Sequence, residues 1–139
     1  MIQKFYNLKI NTNGQKLYEF TKETSLWISQ NNFSEGMLNL SIMHTSASII
    51  IQENADPDVQ KDLIKYFDKL VPMDNKLYIH TVEGKDDMPA HIKSALTNNQ
   101  ITLSIKDQKP LLGTWQGLYL FEHRIEKQTR SIVHHFVGN

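Results

Sequence analysis

Six histidines, at positions 44, 80, 91, 123, 134 and 135, are the residues of this 139-residue chain best suited to chemistry. Imidazole suits zinc, copper, iron or nickel, and three imidazoles from separate segments would make an open catalytic centre. Three of the six fall where elements should end. His44 closes a strand beside Thr45 and Ser46, His91 lies in the first turn of a helix, and His123 stands between Glu122 and Arg124. Element ends are where sheet proteins usually present ligand-facing groups. A lone histidine is more often structural, and no two of these three have the i, i+4 spacing of a helical zinc pair. His134 and His135 alternate across the last strand, so at most one of them faces a given pocket.

Acids form two groups, Glu53, Asp56 and Asp58, then Glu83, Asp86 and Asp87. Asp56 and Asp87 can be read simply as helix N-caps. The functional reading is that carboxylates at a helix start hold Mg²⁺, which takes oxygen ligands and bridges substrate phosphates. Glu53-Asn54 precedes a helix directly and would set a carboxylate and an amide at one pocket. Only two of the fifteen basic residues are arginines, Arg124 and Arg130. The guanidinium fork matches phosphate, so Arg124 beside His123 is a candidate phosphate contact; the plain alternative is a surface ion pair with Glu122 or Glu126. Gly113–Gly117 lacks Walker spacing and suits either close backbone approach or a bulged turn. Trp115 is a stacking surface or a core residue. Thr45, Ser46 and Ser48 have no G-x-S-x-G elbow, which argues against a serine hydrolase.

The elements that must position these groups belong to one domain, residues 1–139, of ordinary globular composition. Fifteen basic residues balance fifteen acidic ones, so no global field draws the chain to nucleic acid or an anionic membrane. Without cysteine there is no disulfide, thiolate metal site or Cys nucleophile. No apolar run approaches a membrane span, and the start of the chain alternates like a strand rather than a leader; a cytoplasmic protein is expected.

Strands are expected at Met1–Ile10, at Lys16–Phe20 as the return of a hairpin through Asn11–Gly14, and at Gly36–His44 and Ser46–Glu53. Ile49-Ile50-Ile51 is apolar on both faces, which predicts a strand covered on both sides. Asp56–Val71 is the clearest helix, with Asp56 as N-cap, Pro57 in the first turn and an apolar face from Val59 to Leu70. Helices are also expected at Glu23–Asn31 and from about Asp87 to Thr97, the latter burying Ile92, Ala95 and Leu96. Ile101–Ile105, Trp115–Arg124 and Thr129–Val137 complete roughly eight strands, an α+β fold of mainly antiparallel sheet with two to three helices.

Five blocks now stand in order: His44-Thr-Ser-Ala-Ser48, Glu53-Asn-Ala-Asp-Pro-Asp58, Glu83-Gly84 with Asp86-Asp-Met-Pro-Ala-His-Ile-Lys93, Leu112-Gly-Thr-Trp-Gln-Gly117 and Glu122-His-Arg124. Together they closely resemble the YjbQ family, also called secondary thiamine-phosphate synthase or UPF0047. The resemblance implies a sandwich-like sheet arrangement, a homotrimer and a metal-associated pocket built by the histidine blocks. It also implies weak thiamine-phosphate synthase activity, joining hydroxymethylpyrimidine diphosphate to thiazole phosphate with loss of diphosphate. On that basis His44, His91 and His123 are the expected metal ligands, for zinc or a similar ion. His91, Glu53, Asn54, Asp56 and Asp87 are the expected catalytic groups, with Mg²⁺ as the partner of the diphosphate, and Arg124 contacts phosphate. The alternatives are a metal-dependent hydrolase of another phosphorylated metabolite, or a non-catalytic metal- or ligand-binding trimer.

Overall fold

Alternating apolar residues at the two ends of the chain make its longest strand pair. In the computed structural model, which describes residues 1–139, β1 (Ile2–Asn13) runs antiparallel to β8 (Lys127–Gly138), from Ile2 opposite Gly138 to Asn13 opposite Lys127. β3 (Glu35–Ile42) pairs with the other edge of β8, followed by β5 (Gln100–Lys106) and the two-residue β6 (Lys109–Pro110). A second sheet holds β2 (Lys16–Glu19), β7 (Gln116–Glu122) and β4 (Ala47–Glu53), in that order. Every pairing is antiparallel.

The sheets share one core. Leu38, Leu40, Ile132 and Phe136 of the first sheet and Ala47, Ile49, Leu118 and Leu120 of the second are fully buried in it. Each large apolar side chain removed from water there contributes about 1.5–3 kcal/mol. The other face of the three-stranded sheet carries Leu17, Tyr119 and Phe121, with Ile50 beside them, against Leu63, Ile64 and Phe67 of helix α2 (Pro57–Leu70). The Ile49–Ile51 run is therefore covered on both sides, as its composition predicts. Asp56 caps α2 by accepting the Asp58 N–H at 2.9 Å, and Pro57 opens the helix. Helix α1 (Thr21–Gln30) adds Trp27 and Ile28 to the main core. Gly36 and Gly138 face each other across β3 and β8, where a Cβ on Gly138 would lie 2.2 Å from the Glu35 carbonyl oxygen. Only hydrogens fit between these strands.

Two expectations fail. β2 does not return along β1 as a hairpin: Gly14, at φ 90°, turns the chain out of the first sheet, and β2 takes its ladder from β7. Helix α3 (Asp87–Leu96) does not bury Ala95 and Leu96, which are exposed, and Ile92 is only half-buried. Its inner face is instead Asp87, Ala90, Lys93 and Ser94. Polar groups can occupy that face because each has a partner: Arg124 for Asp87, Asp68 for Lys93, and the Ala47 carbonyl for Ser94. No helix is long and apolar enough to cross a membrane.

Candidate metal centre

The first two turns of α3 place Asp87 and His91 four residues apart, on one face. The irregular segment after a 3-10 turn at Asn75–Leu77 brings His80 to the same place. His80 Nε2 lies 2.7 Å and His91 Nε2 3.2 Å from Asp87 Oδ2. The ligating atoms of the three residues all lie within 4.8 Å of one another, and no other group of three histidines or acids in the chain does this. Ligands about 2.1 Å from a tetrahedral zinc stand roughly 3.4 Å apart, so small adjustments would suffice.

Surrounding groups orient two of these three side chains, His91 and Asp87. His91 Nδ1 is 2.9 Å from the Thr45 carbonyl oxygen, which can only accept, so Nδ1 carries hydrogen and the Nε2 side is turned to the cluster. Such a carbonyl is the usual outer partner of a metal-bound histidine. Arg124 Nη1 donates to Asp87 Oδ1 at 2.6 Å, its Nε to Asp86 Oδ2 at 2.9 Å and its Nη2 to the Glu83 carbonyl at 3.0 Å. Burial opposes ionisation of Asp87, but the His80 hydrogen bond and the Arg124 charge keep its carboxyl below the usual range. Asp86 is held low in the same sense, burial being outweighed by the Ile125 N–H and Arg124. Gly84, at φ 108°, makes the turn that lets Glu83 and Asp86 both reach Arg124. The Asp87 side chain is 3% exposed, whereas those of His80 and His91 are 44% and 33% exposed, so an ion can enter from their side.

The expected trio of His44, His91 and His123 is not assembled. His44 Nε2 accepts the Ser131 backbone N–H at 2.8 Å, which occupies the single lone pair of a neutral ring. Burial, then Arg130, lowers its pKa. His123 is buried, with Nε2 2.9 Å from Ser48 Oγ and the ring against Phe121. Burial, reinforced by Lys93 and Arg130, lowers its pKa to about 3. His134 is a core residue beside Thr24, its pKa lowered to about 4 by burial despite the Ile132 carbonyl, and His135 stacks on Phe5 at the surface.

Arg124 is likewise not a free phosphate contact, nor does it pair with Glu122 or Glu126 through its guanidinium; all three of its nitrogens fasten the Glu83–Asp87 segment. Glu53, Asn54 and Asp56 lie away from the cluster. β4 runs from Ala47, near the Thr45–His91 contact, to Glu53, a span of roughly 20 Å. At that far end Glu53 Oε2 accepts the Asp56 N–H at 2.8 Å, and Asn54 Nδ2 donates to the Thr114 carbonyl at 3.3 Å. Trp115 is exposed there. Sequence reasoning missed His80, which has no periodic context, and the buried Arg130–Glu122 pair. The Asp87–His91 spacing of four inside a predicted helix was the one available signal for the centre.

Residues 6–139 match the family model described as UPF0047 protein YjbQ-like. The chain belongs to the YjbQ-like UPF0047 family. It is 44% identical to UPF0047 protein sll1880 of Synechocystis over 131 residues, covering 94% of this chain and 89% of that one. It is 47% identical to UPF0047 protein YjbQ of Salmonella typhimurium over 98 residues, 70% of each chain. Among solved structures, a YjbQ/UPF0047 protein of Clostridium acetobutylicum superposes with a TM-score of 0.83 at 32% identity, covering 96% of this chain and 99% of that one. That protein is described as uncharacterized, so membership of the YjbQ-like family establishes the fold and leaves the reaction to the site. Within this member, the blocks around His44, Asp86–Lys93 and Arg124 meet at the His80–Asp87–His91 cluster. The blocks around Glu53 and Gly113–Gly117 meet each other at the opposite end, where the Asn54 N–H donates to the Trp115 carbonyl at 3.1 Å.

Proposed function

We propose that His80, Asp87 and His91 hold a divalent transition-metal ion, and that the protein is a metal-dependent enzyme acting on a small phosphorylated metabolite. The observation that carries this is the convergence of two imidazole nitrogens and one carboxylate oxygen, with His91 oriented by Thr45 and Asp87 by Arg124. Two nitrogens and an oxygen suit zinc or iron better than Mg²⁺, and three protein ligands leave a position open. When bound, such an ion polarises a phosphoryl oxygen or lowers the pKa of water. Asp87 and the histidines fix its place, and Arg124 keeps Asp87 ionised. Hydrolysis of a phosphate ester is the reading favoured here, because Arg124 and Lys93 are both engaged by carboxylates and not available to a diphosphate.

Synthesis of thiamine phosphate is the second reading, supported by the family resemblance. One experiment separates them. Purified protein loaded with Zn²⁺, Mn²⁺ or Mg²⁺ is given a phosphate-ester panel and, separately, the two thiamine precursors, with His91→Ala alongside. Phosphate release lost in His91→Ala supports the hydrolase, and product from the precursors lost in the same variant supports the synthase. Metal binding with silence in both assays leaves a non-catalytic binding protein, and absence of metal binding sinks the centre. Light scattering on the same preparation tests the proposed homotrimer.

A further inference from the structure

The ring of His91 forms one wall of a cavity of about 320 Å³, whose other walls are His44, Thr45, Ser94, Ala95 and Asn99. Apart from the two imidazoles, no ionisable side chain lines it. Ser94 is committed, its hydroxyl donating to the Ala47 carbonyl at 3.0 Å. His44 is not fully committed. The Ser131 backbone N–H that its Nε2 accepts can only donate, so Nε2 holds the lone pair and the hydrogen of the neutral ring sits on Nδ1. The Met43 N–H donates to the Ser131 carbonyl at 3.1 Å, so backbone pairing fixes Ser131 against this segment. The one buried side-chain nitrogen or oxygen without a partner is His123 Nδ1, which leaves His44 Nδ1, unbonded within the protein, open to solvent.

The geometry points to an acceptor-oxygen subsite in this cavity, where the His44 Nδ1–H donates to an oxygen of the molecule processed at the metal centre. The identity of that molecule rests on the metal-enzyme reading; the donor itself does not. A neutral imidazole locked in one tautomer polarises an oxygen without giving up a proton, and a cavity lacking Lys and Arg takes a carbonyl, carboxylate or single phosphoryl group. His44 is on this account a ligand-binding group rather than a metal ligand or a base.

The test uses the full chain with Co²⁺ alone and inorganic phosphate alone as probes. Two-bond ¹H–¹⁵N spectra of metal-free protein should show His44 with a pyridine-like Nε2 and a protonated Nδ1, and phosphate should shift that Nδ1. His44→Met, whose thioether sulfur can only accept, should bind Co²⁺ within about twofold of wild type but phosphate about tenfold more weakly, the loss of one hydrogen bond. The Nε2–H tautomer, unchanged phosphate affinity in a folded His44→Met, or a large loss of Co²⁺ affinity in that variant would each overturn the proposal. Failure of the wild type to bind Co²⁺ would sink the metal centre instead, and the phosphate titration of metal-free protein would still decide the subsite.

Discussion

Arg124 grips Asp87 through Oδ1, at 2.6 Å, and so leaves Oδ2 as the carboxylate oxygen that faces His80 and His91. The Arg124 guanidinium, carried by the loop between β7 and β8, thereby orients an acid of the His/Asp cluster. Arg124→Ala should weaken Zn²⁺ or Co²⁺ binding about 10–100-fold, the usual cost of losing an outer-shell partner. Arg124→Lys should not restore it, because one ammonium cannot span Asp86, Asp87 and the Glu83 carbonyl. Calorimetric titration of both variants checks this; wild-type affinity in either would contradict it.

The choice between the two histidine sets is also testable. His80→Ala and His91→Ala should each lower bound metal well below one equivalent by elemental analysis. His123→Asn should keep full metal stoichiometry while lowering Tm, since its ring is a buried packing element that touches Phe121 and Ser48. Loss of metal in His123→Asn would restore the expectation drawn from sequence.

Acid should destabilise the fold through His123 and His134. Both are held neutral by burial, with folded pKa values of about 3 and about 4 against an ordinary 6.5. Between those values the unfolded chain binds more protons, so their contribution is complete above about pH 6.5 and is lost as pH falls toward 4 and then 3. Each adds a slope of up to about 1.4 kcal/mol per pH unit within its window. Urea midpoints at pH 7.5, 5.5 and 4.5 should fall steadily, and His134→Gln should flatten the decline.

Lys93 and Asp68 are an unequal pair, the lysine side chain 2% exposed and the aspartate 40%. Asp68→Ala would strand a buried ammonium and should cost about 3–5 kcal/mol. Lys93→Met removes that charge, leaves a carboxylate that water can reach, and should cost less than about 1.5 kcal/mol. Chemical denaturation of both variants gives the order, and the reverse order would show that the pair is not governed by lysine desolvation.

The sequence by itself determined the elements, because their signals are local. Asp56-Pro57 and the apolar stripe to Leu70 set α2, the alternation in Ile101–Ile105 set β5, and Ile49–Ile51 announced a strand covered on both faces. It also set family membership and pointed to the Asp86–His91 segment. Only the tertiary structure decided which of these segments meet. β2 crossed to the other sheet, which no local pattern encodes, and the length of β4 carried Glu53, Asn54 and Asp56 away from the histidines. Three histidines differ in what their nitrogens touch: the Ser131 N–H for His44, the Thr45 carbonyl for His91, Ser48 for His123. Imidazole chemistry depends on which nitrogen bears the hydrogen, and that is fixed by partners remote in the chain.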